Sequence, residues 1–220
     1  MPIYRIADLN VEVNPKFKIC RKRLESYAVK SNESGKTDIA ISVSDDEIRE
    51  RLRLSDNLSE QGAEVVLILS KFCNAVLDGF DGFFFHSSCL ELDGEGYVFS
   101  AVSGTGKSTH TALWRRHFGN RVTMINDDKP VIRKCDGKFY AYGTPWMGKA
   151  DIETNTKAPV KAVYILQRAE ENTAVRVLPS QVMKQLLEAT VIDVERSRME
   201  KLLELLDEFF KETPLFLLGC

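Results

Sequence analysis

The chain has 220 residues, of which 44% are hydrophobic and 28% are charged. This apolar content is enough to build a buried core, so the composition excludes a wholly disordered chain. Lysine and arginine number 30 and aspartate and glutamate number 32, which leaves a net charge of −2. Because no overall basic field is available to hold a phosphodiester backbone, we expect no nucleic acid partner.

The cysteines and the hydropathy pattern exclude two further classes. The five cysteines are scattered and none forms a Cys-x-x-Cys pair, which argues against a zinc site. No run approaches the about 18 apolar residues of a membrane span, and the first ten residues lack the apolar core of a signal peptide. We therefore expect a cytoplasmic protein with no membrane partner.

Residues 1–82 are predicted to form a small α/β unit. Apolar and polar residues alternate over 9–13 and 39–43, which is typical of half-buried strands. Over 60–77 the period changes, and Val65, Leu69, Phe72 and Val76 fall on one helical face. Asp78 and Gly79 then provide a plausible helix end.

Residues 83–220 are predicted to form a second unit of strands followed by helices. Strands are expected over 83–92, 97–102, 121–126, 131–135, 138–142 and 161–167, with a helix over 107–118. Asp136-Gly137 predicts a tight hairpin between two of these strands. The C-terminal third is predicted to be helical, and its apolar stripe serves core packing or a homo-oligomer contact.

A phosphate-binding loop is the most specific motif in the sequence. Residues 101–108 read Ala-Val-Ser-Gly-Thr-Gly-Lys-Ser, which matches G-x-x-x-x-G-K-[ST] except that Ala101 replaces the first glycine. The glycines allow backbone N–H groups to surround phosphate, and the following helix adds its N-terminal dipole. The lysine can contact the β- and γ-phosphates, and the next hydroxyl can bind Mg²⁺. The predicted nucleotide-binding residues are Ser103, Gly104, Thr105, Gly106, Lys107, Ser108 and Thr109.

Two aspartates, Asp127 and Asp128, follow the next predicted strand, 20 residues after Lys107. One helix fits in this gap, so both carboxylates are expected at the sheet edge that carries the phosphate loop. One carboxylate can hold Mg²⁺ beside Ser108, and the other can act as a base on a substrate hydroxyl. The alternative is an acidic turn without function.

A histidine, His86, ends an aromatic run on the strand before the phosphate loop. It is either a packed core residue or a group that tunes the protonation of the nearby carboxylates. The order of histidine, hairpin, phosphate loop, single helix and paired aspartates over roughly residues 83–170 resembles the catalytic core of HPr serine kinase/phosphorylases. That family shares its P-loop fold with ATP-dependent phosphoenolpyruvate carboxykinases. The resemblance implies an α/β fold with this core, a small N-terminal unit and C-terminal helices.

The resemblance also implies roles for individual residues. His86 matches the active-site histidine, Lys107 the phosphate-binding lysine and Ser108 the metal-binding hydroxyl. Asp127 matches the proton acceptor, which leaves Asp128 on the metal side. The segment 143–148 lies where the family has a glycine-containing loop with an acidic metal ligand, but no carboxylate is present in it. Lys149 either neutralises phosphate charge or is a surface lysine, and Arg176 is a loose match to a catalytic arginine of the family.

The leading hypothesis is an ATP- and Mg²⁺-dependent kinase. It would transfer the γ-phosphoryl group to a hydroxyl of a peptide, a protein or a small molecule, none of which the sequence identifies. One alternative is a regulatory module that binds ATP without transferring phosphate, which the changed first glycine and the missing loop carboxylate favour. Another is a small enzyme similar to phosphoenolpyruvate carboxykinase.

Overall fold

The computed structural model describes residues 1–30, 35–55, 57–102, 104–148, 154–190 and 196–220, without the side chain of Arg196. Two predicted site residues, Ser103 and Lys149, lie outside these ranges. Within the ranges, each helix is too short or too polar to cross a bilayer.

The described residues form twelve strands and six helices. The strands are β1 Ile3–Ile6, β2 Leu9–Val13, β3 Ile39–Ile41, β4 Gly82–Phe84, β5 Ser88–Leu92, β6 Glu95–Ser100, β7 Val122–Asn126, β8 Val131–Cys135, β9 Lys138–Tyr142, β10 Lys157–Gln167, β11 Thr173–Arg176 and β12 Leu215–Gly219. The helices are α1 Lys18–Leu24, α2 Asp45–Arg53, α3 Glu60–Gly79, α4 Lys107–Phe118, α5 Met183–Thr190 and α6 Arg196–Glu212.

The N-terminal part of the chain forms a three-stranded sheet in the order β1-β2-β3. Helix α3 packs its apolar face into the same core, where Phe72 and Val76 are fully buried. That core also contains Phe84 and Trp146 from the second predicted unit. The division into units at residue 82 stays a prediction.

The larger sheet has nine strands, seven of which follow the order β4-β8-β9-β10-β6-β5-β7. The long strand β10 pairs with β9 through its first three residues and with β6 and β12 further along. Strand β11 then pairs with β12 at the outer edge. Parallel and antiparallel pairs occur together in this sheet.

Helices cover both faces of the larger sheet. On one face, Phe99 of β6 contacts α4 through Trp114. On the other face, Val98 belongs to the core that contains Leu186 of α5 and Phe209 of α6. Alternate residues of one strand therefore serve opposite layers, as the period of two requires. The predicted α/β fold class is confirmed.

Two sequence-based expectations are wrong. The predicted single strand over 83–92 is two strands, because β4 pairs with β8 whereas β5 pairs with β6 and β7. The C-terminal third is not wholly helical, since β11 and β12 extend the sheet beyond β10. The segment 85–87 between β4 and β5 contains His86, so the first error concerns the candidate site directly.

Candidate active site

One edge of the larger sheet collects the predicted site residues. Strands β6 and β7 both run antiparallel to β5, which lies between them, so their carboxyl ends meet the start of β5. Ser88 pairs with Phe99, and Cys89 pairs with Asn126. The phosphate loop and the two aspartates are therefore brought to the same edge, as their spacing predicted, and His86 lies there with them.

The phosphate loop leads directly into α4. Gly104 and Gly106 have φ angles of 81° and 118°, a left-handed backbone that favours glycine. The Thr105 N–H donates to the Val102 carbonyl at 3.1 Å, which closes a tight turn before the helix. The first N–H groups of a helix have no intrahelical acceptors, so those at the start of α4 can bind an anion. The hydroxyl-bearing residues Ser108 and Thr109 lie exposed in this first turn.

The amine of Lys107 lies beside Ala101, the first residue of the phosphate loop. Its Nζ donates to the carbonyl of Ala101 at 3.2 Å. The pKa of Lys107 is lowered, mainly by burial. The carboxylate of Asp128 raises this pKa and the cation of Lys129 lowers it further, and burial outweighs the effect of Asp128. Among the described residues the Lys107 ammonium thus has one neutral acceptor, and it would gain from a phosphate oxygen.

Asp128 lies between two basic groups. Its Oδ1 is 2.9 Å from the Nε2 of His86, and its Oδ2 contacts the Nζ of Lys129. Burial alone would raise the pKa of Asp128, but hydrogen bonds from His86 and Lys129 outweigh burial and lower the pKa to about 2. Asp128 is therefore ionised at neutral pH. The side chain of His86 is 40% exposed, so it is not a packed core residue.

Asp127 has a different environment from its neighbour. It is buried, and its Oδ1 accepts the Gly148 N–H at 2.7 Å. Within the described part of the chain, Oδ2 of Asp127 has no hydrogen bond. His86 therefore contacts Asp128 rather than Asp127, although the sequence suggested only a histidine near both.

Asn126 organises the acidic turn and was missed by sequence reasoning. Its Oδ1 accepts the N–H groups of Asp128 at 2.9 Å and Lys129 at 2.6 Å. Its Nδ2 donates to the carbonyl of Thr144 at 2.9 Å. A polar residue at the end of an apolar strand was the available signal.

The segment 143–148 packs against the acidic turn. A Cβ on Gly143 would lie 1.9 Å from the carbonyl oxygen of Thr154, so only glycine fits there. A Cβ on Gly148 would lie 3.1 Å from the Cβ of Asp128 and 3.2 Å from Oδ2 of Asp127. The close approach of the backbone allows the Gly148 N–H to reach the carboxylate.

Arg168 reaches the phosphate loop and was also missed. Its Nη2 donates to the carbonyl of Gly104 at 3.1 Å, from the end of β10 next to β6. Arg176, which the sequence analysis proposed instead, lies exposed on the outer strand β11. That strand is three positions from β6, or about 14 Å at the usual strand spacing of about 4.8 Å. Arg176 is level with Phe99 near the end of β6, but this sideways distance separates it from the phosphate loop, and its role stays a prediction.

The site fits nucleotide phosphate better than it fits a preformed metal cage. Its phosphate donors are the Lys107 ammonium and the first turn of α4. Among the described residues, no group of three His, Cys, Asp or Glu side chains could hold a metal ion. The Ser108 hydroxyl and Oδ2 of Asp127 are oxygen ligands of the kind that Mg²⁺ accepts together with substrate phosphates. Asp128, the predicted metal ligand, would first have to release His86 or Lys129.

Comparisons with known proteins add a distant structural likeness. No family model matches the sequence, and no curated protein matches it. One solved structure, the HPr(Ser) kinase/phosphatase from Coxiella burnetii, is 15% identical to the chain. The match covers 56% of this chain and 86% of that chain, with a TM-score of 0.31. A likeness at this level assigns no activity to the chain.

Proposed function

We propose that the chain is an ATP- and Mg²⁺-dependent kinase that transfers the γ-phosphoryl group to a hydroxyl. The observation that carries the proposal is the convergence of three segments at one sheet edge. These are the loop that ends in Lys107, the turn that contains Asp127 and Asp128, and the segment that contains His86. A cation, ionised carboxylates and free helix amides are the groups that phosphoryl transfer requires.

The basic groups would bind and orient the nucleotide. The Lys107 ammonium would leave the Ala101 carbonyl and contact the β- and γ-phosphates, while the amides at the start of α4 hold the same oxygens. Mg²⁺, when bound, neutralises charge on these phosphates, and the Ser108 hydroxyl and Oδ2 of Asp128 would hold it, with Lys129 giving up its contact with that oxygen.

The transfer itself needs a proton acceptor. The acceptor hydroxyl oxygen would bond to the γ-phosphorus, the bond between that phosphorus and the bridging oxygen would break, and the hydroxyl proton would pass to Asp127. Asp127 suits this role because one of its oxygens is held by Gly148 and the other has no hydrogen bond within the described ranges. Asp128, whose pKa is about 2, is a weak base and would instead keep His86 in place.

A regulatory module that binds ATP without transfer is the second candidate. It is favoured by the observation that both oxygens of Asp128 are engaged by protein groups. The carboxykinase-like alternative stays a prediction, which addition of oxaloacetate would test. The cytoplasmic location, the lack of nucleic acid and membrane partners and the homo-oligomer also stay predictions.

The first experiment is calorimetric titration of ATP with and without Mg²⁺ into wild type, Lys107→Ala and Asp127→Asn. We expect wild type to bind ATP, Lys107→Ala to lose most of the affinity and Asp127→Asn to keep it. Asp127→Asn should then lower acceptor-dependent ADP formation by about 10²- to 10⁴-fold, the usual contribution of a general base.

The result separates the candidates. Failure of wild type to bind ATP under either condition would remove both the kinase and the regulatory module. ATP binding without turnover by any hydroxyl compound would favour the regulatory module. Turnover that survives unchanged in Asp127→Asn would remove Asp127 as the base and leave the kinase assignment standing.

A further inference from the structure

A cavity of about 200 Å³ lies between the phosphate loop and α5. Its described walls are His86 and Ser100 at the sheet edge, the first two loop residues Ala101 and Val102, and Gln185, Glu188 and Ala189 of α5. One wall is thus the imidazole that contacts Asp128, and another is formed by the first two residues of the phosphate loop. The cavity adjoins the candidate site but none of the roles proposed above uses it.

The wall formed by α5 is fixed relative to the site. The backbone N–H of His86 donates to the carbonyl of Ala189 at 2.7 Å. Leu186, one turn earlier, is buried in the core beneath the sheet. Residues 185, 188 and 189 share one helical face because they are three and four positions apart. The cavity is therefore part of the folded structure.

The size of the cavity limits what it can hold. A volume of about 200 Å³ lies below the about 300 to 1,000 Å³ that is usual for pockets of drug-sized ligands. This space suits a small molecule or one amino-acid residue. A small acceptor is a reactant of matching size.

The charge in the cavity differs from that of the phosphate loop. Glu188 is the one acidic residue among the described lining residues, and Gln185 adds an amide beside it. Among the described residues Glu188 pairs with Lys184, whose Nζ is 3.9 Å away, so the carboxylate retains capacity for another cation. At this wall the Glu188 carboxylate would repel an anionic group and attract an ammonium group.

We propose that this cavity binds the phosphoryl acceptor, and that the acceptor is a small amino alcohol whose ammonium group pairs with Glu188. Its hydroxyl would then point past His86 toward the phosphate loop. The amino alcohol is either a free compound or the N-terminal serine of a peptide, since both present a hydroxyl two carbons from an ammonium group. This inference rests on the proposed kinase function.

The test compares two-carbon hydroxyl compounds that differ only in charge. Ethanolamine is cationic, ethylene glycol is neutral and glycolate is anionic, and serylglycinamide represents a peptide N-terminus. Binding of each probe to the full chain is measured by ligand-observed NMR with a non-hydrolysable ATP analogue and Mg²⁺. We expect the cationic probes to bind roughly fivefold more tightly than glycolate, as an exposed ion pair allows.

Variants on α5 connect this preference to the cavity. Glu188→Gln should abolish the preference for cations and Gln185→Glu should increase it. Glu200→Gln, an exposed position on α6, should leave it unchanged. Because both substituted α5 side chains are exposed, these variants should fold as wild type does. A free compound and a peptide are distinguished by whether ethanolamine or serylglycinamide binds more tightly.

The outcomes also separate this inference from the proposed function. Three outcomes would overturn the inference. Glycolate could bind as tightly as the cationic probes or more tightly, the preference for cations could persist in Glu188→Gln, or protein that binds ATP could bind none of the probes. The last result would leave the kinase proposal intact. Conversely, failure to bind ATP would remove the kinase, and a cation preference dependent on Glu188 would still identify the cavity as an amine site.

Discussion

The charge on Asp128 should stabilise the fold by a measurable amount. The pKa of its carboxyl falls from an ordinary value of 3.8 to about 2, because hydrogen bonds from His86 and Lys129 outweigh the effect of burial. Each pKa unit corresponds to about 1.36 kcal/mol, so ionised Asp128 contributes about 2 kcal/mol to the free energy of unfolding. Asp128→Asn should remove this contribution.

The effect should depend on pH in a defined direction. A carboxyl whose pKa is lower in the folded state stabilises the fold above its unfolded pKa, and the contribution is lost as the pH falls toward the folded pKa. The difference between wild type and Asp128→Asn should therefore be about 2 kcal/mol at pH 6 and roughly half of that at pH 3. Urea unfolding at pH 6, 4.5 and 3 measures both differences.

An exposed aspartate provides the matched control. Asp207 pairs with Lys211 one turn along α6 and is 66% exposed. Asp207→Asn should therefore change the free energy of unfolding by no more than about 0.5 kcal/mol. A difference for Asp128→Asn that is as small as the control, or that grows as the pH falls, would refute the proposed balance between burial and the two basic groups.

Three further predictions concern other parts of the molecule. Gly143→Ala places a Cβ 1.9 Å from the carbonyl oxygen of Thr154, so the free energy of unfolding measured in urea should fall by about 3 kcal/mol. A fall of less than about 1 kcal/mol would contradict the close approach. Phe209→Ala empties a fully buried position and should cost about 4 kcal/mol in the same assay, and near-neutral stability would show that the core there is not packed as described. Arg168→Ala removes the donor to Gly104 and should raise the calorimetric Kd for ATP about fivefold without changing stability; an unchanged Kd would exclude a role in positioning the phosphate loop.

Elements with strong local signals could be predicted from the sequence. Helix α4 spans 107–118 as predicted, and strands β8 and β9 have the predicted bounds. The turn between these strands has positive φ angles at Asp136 and Gly137, which is the conformation that this residue pair favours. Each of these features is decided by residues within a few positions of one another.

Elements whose pairing partners are distant in sequence could not be predicted in the same way. Strand β12 is a short apolar run without alternation, and it exists because Leu215 pairs with Val163 of β10. A short apolar run of this kind does not by itself distinguish a strand from part of a buried helix. The resemblance also suggested Arg176 as a catalytic arginine, whereas Arg168 is the arginine that contacts the phosphate loop.

The geometry of the acidic turn depends on residues that carry no charge. The Phe85 N–H donates to the carbonyl of Pro130 at 3.2 Å, and the Ser87 N–H donates to that of Asp128 at 3.1 Å. The Ser88 hydroxyl donates to the carbonyl of Asp127 at 3.0 Å. These bonds join the segment that interrupts the predicted strand to the turn about forty residues later, and His86 is held between them. The motifs therefore identify which groups meet, whereas the pairing of His86 with Asp128 follows from backbone hydrogen bonds that no local pattern specifies.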